Sequence, residues 1–420
     1  MALSLSNVKT FTRPTVQQRK VVLAPCSALK SSIKTTIKPK SIISKATAEI
    51  VMPVGNLDDE ARTKLAEQVG FRSIGKELPD NVTLTQIIKS LPAEVFELDH
   101  KKAWTSVAIT VTALFLGLYL IHISPWYLLP FAWAYTGTAL TGWFVVGHDC
   151  GHRAFHRNKL VEDIVGHIMF FPLIYPFEPW RIKHNHHHAH TNKLVEDTAW
   201  HPIMEEEMEN LPGFYKLFLG SPLKLFASIG HWWIWHFNVN RYTEKQRPRV
   251  LVSLANVAAF LLIALPLLFK FGGIGAIVKY WLMPWLGYHF WMSTITVIHH
   301  TAAHIPFMPA KEWNAAKAQL SGTVHCDYPK WVEFLCFDIN VHVPHHVCSK
   351  IPWYNLRAAN DSLRKNWGEY MTECTLNWRM LKYIFTELHV YDRVKNYKPF
   401  DFKKEEPMFA IQRKFLPDSM

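Results

Sequence analysis

Two long apolar blocks restrict the folds open to this chain more than any other feature. The first runs from about Trp104 to Val146 and is interrupted at HISPWY, where Ser124 and Pro125 mark a turn. The second runs from about Val250 to Ile298 and is interrupted at KFGGIG, Lys270 to Gly275. A spanning helix needs about 20 apolar residues at about 1.5 Å each, so each block divides into a helical hairpin. The expected fold is an all-α integral membrane protein: four transmembrane helices, paired as two hairpins, carrying a helical cap. Trp104, Trp126, Trp281 and Trp285 fall near block ends and breaks, where interfacial aromatic belts form. Lys279 lies a turn into the fourth helix, from which it can snorkel outward.

Two other apolar stretches read differently. DIVGHIMFFPLIYPFEPW, Asp163 to Trp180, is broken by Pro172, Pro176 and Pro179 and reads as a re-entrant or interfacial segment. GFYKLFLGSPLKLFASIGHWWIWHF mixes Lys216 and Lys224 with aromatics and reads as an interfacial amphipathic helix.

Histidine then locates the chemistry. WRIKHNHHHAHTN places five of the chain's 23 histidines, His184, His186, His187, His188 and His190, within seven positions. Only His184, His187 and His188 form H-x-x-H-H, and offsets 0, 3 and 4 share one helical face; His186 and His190 point elsewhere. HDCGH puts His148 and His152 at i and i+4 on a helix continuing the second span. NVHVPHH repeats the first spacing with His342, His345 and His346, and Pro344 is tolerable there only in a first helical turn. In VIHHTAAHIPF, His299, His300 and His304 follow the fourth span, and His300 or His304 could complete the ligand set. The isolated His156, His167, His201, His231, His236 and His325 are expected to be structural.

With two spans between successive groups, every cluster lies on one side of the membrane. Lys101, Lys102, Arg241, Lys245, Arg247 and Arg249 flank spans on that side, against Lys270 and Lys279 opposite, which agrees with the positive-inside bias. Eight imidazoles are too many for one zinc ion, which takes four ligands, but suit two iron ions that bind O₂. Asp149 is placed to orient a ligand imidazole. Carboxylates are otherwise sparse in the clusters, which separates this pattern from Glu-rich soluble di-iron bundles.

Net charge is +12, but nine Lys/Arg and no acid fall in residues 1–48, leaving 37 basic against 34 acidic residues in the rest. The excess belongs to the leader, so the body gives no support to a nucleic-acid partner. The leader is Ser/Thr-rich, acid-free and poor in Arg, the composition of a plastid transit peptide. Beyond Cys26, five cysteines remain without a C-x-x-C pair, which fits a reducing compartment such as a stroma. The expected organisation is 1–48 transit peptide, 49–98 polar segment, 99–395 membrane domain and 396–420 tail.

At HDCGH, HNHHH and HVPHH the sequence resembles the membrane fatty-acid desaturase family, whose hallmark is three ordered histidine boxes. LVEDTAWHP, GTVHCDYPKW and INVHVPHH are most similar to its plastid ω-6 branch, and the resemblance covers roughly residues 60–400. Asn185 and His186 depart from it, standing where the family suggests an acidic and a basic residue. The resemblance implies a histidine-ligated di-iron centre, with O₂ as co-substrate. It further implies removal of two hydrogens from an acyl chain of a membrane glycerolipid (18:1, with 16:1 also expected), a site facing the stroma, and the inner envelope as location. Trp143, Phe144 and Trp291 are candidates to line the acyl path. The body holds neither an HPGG haem segment nor G-x-G-x-x-G, so a separate donor is required, and the resemblance implies reduced ferredoxin. The basic stretch Arg241–Arg249 is where an acidic donor could dock. A hydroxylase or acetylenase on the same scaffold needs the same ligands. A His-rich transporter would instead hold its ligands near the bilayer midplane, and H-E-x-x-H, the zinc-hydrolase signature, does not occur.

Overall fold

The computed structural model describes residues 58–387, apart from 195, 200–202, 205, 206, 208, 209 and 303, together with 390–392 and 396–398. The expected leader, most of the expected tail and His201 lie outside the described residues.

Helix α1, His100–Ile123, begins where the Asp99 carboxylate accepts the Lys102 N–H at 3.1 Å, an N-cap that satisfies an otherwise orphaned donor. It ends at Ser124, immediately before Pro125, and α2 runs from Leu129 to His152 with Pro130 in its first turn, where no N–H is needed. The turn expected at HISPWY is therefore present. Helix α2 is not a lipid-facing span like α1, because it is buried continuously from Thr136 to His152. Gly137 explains how close its neighbours come. A Cβ built on Gly137 would sit 2.7 Å from the backbone of Gly287, so only glycine lets the two helices touch there. Indole N–H groups tie the same bundle: Trp143 donates to the Thr110 carbonyl at 3.1 Å and Trp291 to the Thr138 hydroxyl at 2.8 Å. Each such bond contributes a net ~1 kcal/mol, and leaving the buried indole unpaired would cost more.

After α2, Arg153 takes the left-handed conformation (φ 62°) and turns the chain into α3, Lys159–Phe170. Pro172 and Pro176 prevent a continuous helix, and α4, Phe177–His190, leaves at a bend of 100°. The stretch expected to be one amphipathic helix is instead three short elements: Gly213–Gly220, a 3-10 turn Pro222–Phe226, and α5, Ser228–His236. Pro222 accounts for the first break. Phe214, Leu217, Leu223 and Trp233 are exposed along these elements, as an interfacial location requires.

Helix α6, Arg247–Ile277, a π-helical turn Val278–Leu282 and α7, Met283–His300, follow one another within a 54-residue run. The run is broken at Gly272 and at Gly273, whose φ of 63° favours glycine, which is the break expected within KFGGIG. By length and composition, His100–Ile123 and Arg247–His300 are the helical runs among the described residues able to cross a membrane, and the bent α3–α4 pair is a third when counted as one span. Of the four spans expected from hydropathy, the first is α1, and the third and fourth fall within the single broken run α6–α7. Helix α2 carries Thr, Gly and His toward the interior and does not qualify as a span on its own composition.

A small sheet completes the cap. Strand β1, Phe71–Ser73, pairs antiparallel with β4, Thr372–Thr375, which pairs parallel with β3, Val324–Asp327; β2, Ile203–Met204, lies in a second sheet with β5, Val390–Asp392, and β6, Asn396–Lys398. The buried Asn340 amide donates to the Cys326 carbonyl at 2.9 Å, fastening β3 to the segment that enters α8, His342–Val347. Pro344 is the third residue of α8, within its first turn.

Candidate metal centre

Four helix ends converge on one interior volume. The C-terminal turn of α2 supplies His148 and His152, α4 supplies His184, His187 and His188, α7 ends in His300, and α8 carries His342, His345 and His346. Their ring nitrogens form two groups: His148, His152, His184, His188 and His345 in one, and His187, His300 and His346 in the other. Within the first, Nε2 atoms face one another at 3.2 Å (His148–His345), 3.0 Å (His345–His188) and 3.2 Å (His188–His184). His342 borders the second, with its Nε2 3.1 Å from that of His300.

The opposite edges of the rings decide which nitrogen is free. His148 Nδ1 faces the Asp149 carboxylate at 3.2 Å, and His187 Nδ1 faces Asp197 at 2.7 Å. His342 Nδ1 faces the Ile339 carbonyl at 3.2 Å, and His346 Nδ1 faces the Gln319 Oε1 at 2.9 Å. These oxygens only accept, so each Nδ1 carries the proton and each Nε2 keeps its lone pair for a metal. The buried Nε2 atoms of His152 and His346 have no hydrogen-bond partner. A buried acceptor left unpaired costs ~1–3 kcal/mol, which coordination would remove. Imidazoles with free lone pairs, gathered in two groups, fit two first-row divalent ions such as iron. The donor set is neutral, so the nearby buried charges that offset two dications are the carboxylates of Asp149 and Asp197.

Two further orienting residues are not singled out in the sequence, although Asp197 falls within LVEDTAWHP. Asp197 is buried and also accepts the N–H groups of Asn192 at 2.9 Å and Ala199 at 3.0 Å. Gln319, in a π-helical turn Lys317–Ser321, binds His346 with its oxygen and donates its amide to the His188 carbonyl at 2.5 Å. Neither residue lies in a histidine box.

The remaining candidates separate. His186 and His190 stay at the surface, the first against the Glu196 carbonyl at 3.1 Å and the second against the His186 carbonyl at 2.9 Å. His304 lies apart from both groups, bonded to the Thr372 hydroxyl at 2.8 Å with Phe71 beside it. His299 faces the Val324 carbonyl at 2.6 Å and the Tyr328 hydroxyl at 3.2 Å.

A cavity of about 280 Å³ opens onto His148, His184, His187, His300 and His342. Phe144, Val145, Ile295 and Val297 give it apolar walls. Trp143 and Trp291, expected beside Phe144 on this path, spend their indoles on the bundle contacts described above instead of lining the cavity.

Burial first, and then the neighbouring imidazoles, holds His342, His345 and His346 well below the ordinary value of 6.5. The unfolded chain therefore takes up protons that the metal-free fold cannot accept as pH drops below about 6.5. The stabilising contribution is complete above that pH and declines below it. Thermal unfolding of metal-free protein followed by circular dichroism should show a lower midpoint at pH 5 than at pH 7.5. An unchanged midpoint would mean that these imidazoles are already solvated.

Comparison with known proteins places this geometry. The fatty acid desaturase family model matches residues 98–378. The chain is 58% identical over 378 residues to a chloroplastic omega-6 fatty acid desaturase of Arabidopsis thaliana, covering 89% of this chain and 84% of that protein. It is 54% identical over 378 residues to the chloroplastic omega-6 fatty acid desaturase of Brassica napus, covering 89% and 85%. It is also 51% identical over 322 residues to the sn-1 oleoyl-lipid 12-desaturase of Anabaena variabilis, covering 76% and 92%. With its histidine groups on one cavity and a match spanning most of its length, this chain belongs to the fatty acid desaturase family.

Proposed function

We propose that this chain is a plastid omega-6 (Δ12-type) acyl-lipid desaturase. It would introduce a second cis double bond into monounsaturated chains of membrane glycerolipids. The observation that carries the reading is the apolar cavity bordered by both histidine groups, in a chain 52–58% identical to several chloroplastic omega-6 desaturases. His148, His152, His184, His188 and His345 would hold one iron ion, and His187, His300, His342 and His346 the other. Such a pair supplies the O₂-dependent oxidising power that removing hydrogen from an unactivated methylene requires. The chain's own residues do the rest. Asp149, Asp197 and Gln319 orient imidazoles, while Phe144, Val145, Ile295 and Val297 hold the acyl chain beside them and exclude water.

Stoichiometry sets the partner. One substrate chain, one O₂, two electrons and two protons give one alkene and two waters, and reduced ferredoxin is the donor proposed. The breaks at Ser124–Pro125 and Gly272–Gly273 support four crossings, a run of 54 helical residues being too long for one bilayer. The membrane proposed is the inner envelope, with the histidine groups on its stromal side.

Purified protein in lipid, given ferredoxin, its reductase and NADPH, should convert 18:1 chains, and 16:1 chains as well, to dienes. A hydroxylated chain as the main product would make the protein a hydroxylase. Turnover with cytochrome b5 but none with ferredoxin would overturn the donor.

A further inference from the structure

The face above the start of α1 gathers positive charge from two separate segments. Lys101 and Lys102 on α1 and Arg157 and Lys159 at the start of α3 are exposed, and none of the four is in an ion pair among the described residues. His100 and His156 hold the segments together, their rings 4.3 Å apart, and the Trp104 and Phe155 rings meet at 5.4 Å below them. Glu97 and Asp99 are the acids at the border, and the Asp99 carboxylate is engaged in capping α1.

A second observation makes this face more than a solvated patch. Lys102 Nζ lies 5.3 Å from the centre of the half-buried Tyr354 ring, and the Tyr354 hydroxyl accepts the Asp99 N–H at 2.6 Å. Tyr354 adjoins Trp353, with ring centroids at 5.5 Å. The Trp353 backbone N–H donates to Asp149 Oδ2 at 3.1 Å, and Asp149 Oδ1 meets His148 Nδ1 at 3.2 Å. A short series of bonded and hydrogen-bonded contacts therefore runs from the charged face to a histidine of the first group. Within the basic stretch expected from sequence to serve a donor, Arg249 is paired with Asp163 at 3.1 Å and Glu178 at 3.4 Å, and Arg241 lies over the Trp235 ring at 4.2 Å.

We propose that Lys101, Lys102, Arg157 and Lys159 form the docking face for an acidic one-electron iron–sulfur protein, and that Tyr354, Trp353 and Asp149 connect this face to His148. The proposal rests on the reading of the chain as a donor-dependent desaturase. Each docked donor is oxidised by one electron and the metal site reduced by one, so two encounters supply one turnover. Opposite charge speeds encounter and sets orientation, so salt should slow association and thereby weaken the complex.

The test is binding of plant-type ferredoxin to the full chain in nanodiscs of phosphatidylcholine, which carries no net charge. The quadruple variant Lys101→Glu, Lys102→Glu, Arg157→Glu, Lys159→Glu should bind about 10-fold or more weakly at low salt, while Arg241→Glu with Lys245→Glu should bind nearly as wild type. The milder pair Arg157→Gln, Lys159→Gln should move affinity in the same direction with iron content and helicity intact, which separates docking from misfolding. Trp353→Leu should leave binding unchanged but slow oxidation of docked ferredoxin in stopped flow, with reduction by methyl viologen unaffected. A quadruple variant that binds ferredoxin like wild type overturns the assignment, including the case in which it loses only its attraction to vesicles containing phosphatidylglycerol. A wild-type chain that binds no ferredoxin, yet desaturates with viologen as reductant, overturns the donor reading and the face together while leaving the reaction intact.

Discussion

Replacing His345 with alanine is expected to abolish desaturation and to lower bound iron below two ions per chain. Its Nε2 lies 3.2 Å from that of His148 and 3.0 Å from that of His188, so it joins box 1 to box 2 within the first group. Alanine removes the ring that bridges the two boxes and lowers the first group from five donors to four, which loosens its hold on an ion. His148, His152, His184, His187, His188, His342 and His346 are expected to behave alike, with activity falling by about 100-fold or more, beyond the range for residues that only orient ligands. The same substitution at His186, His190 or His304 is expected to spare both iron and activity. The first two rings lie at the surface, and the third is bonded to Thr372. Iron per chain by mass spectrometry, measured beside product formation at matched protein levels, checks the series. Loss of iron in His186→Ala equal to that in His187→Ala would overturn the register of box 2.

Asp197→Ala is expected to give the second large effect, through a residue that belongs to neither histidine group. Its carboxylate fixes the His187 ring at 2.7 Å and accepts two backbone N–H groups, all within the buried cap. Removing it frees the ring to turn and leaves three donors unpaired, each at a cost of ~1–3 kcal/mol. It also deletes one of two buried carboxylates near the site. Metal affinity should fall by about 10–100-fold, as for other carboxylate–histidine pairs, with the second group losing its ion first. Asp197→Asn keeps an acceptor for His187 without the charge and should fall between the two. A chelator titration of each variant distinguishes them. Equal affinities for wild type and Asp197→Ala would show that packing alone orients His187.

Local features of the fold were legible because their causes are local. Ser124–Pro125 ends a helix wherever it stands, and Gly272–Gly273 breaks one. The i, i+3 and i, i+4 spacings put box residues on one side of α2, α4 and α8 whatever those helices pack against. Which rings meet across boxes was not legible. The His300–His342 and His346–Gln319 contacts join separate elements, and no periodicity encodes them. His300 could be named as a candidate but not told from His304, since both follow the same span at helical spacing. The role of Asp197 was not legible within LVEDTAWHP because it arises from the chain folding back on α4. Burial of α2 was hidden for a related reason: hydropathy measures how apolar a helix is, not whether lipid or protein surrounds it.

The most direct measurement is fatty-acid analysis of each lipid class from a host that makes monoenoic but no dienoic chains, expressing this chain with a plant-type ferredoxin. The expected result is 18:2 with its new cis double bond at the ω-6 position, absent from cells carrying His345→Ala. Hydroxylated chains in place of dienes, or unchanged monoenes from an iron-loaded wild-type protein supplied with reduced ferredoxin, would contradict it.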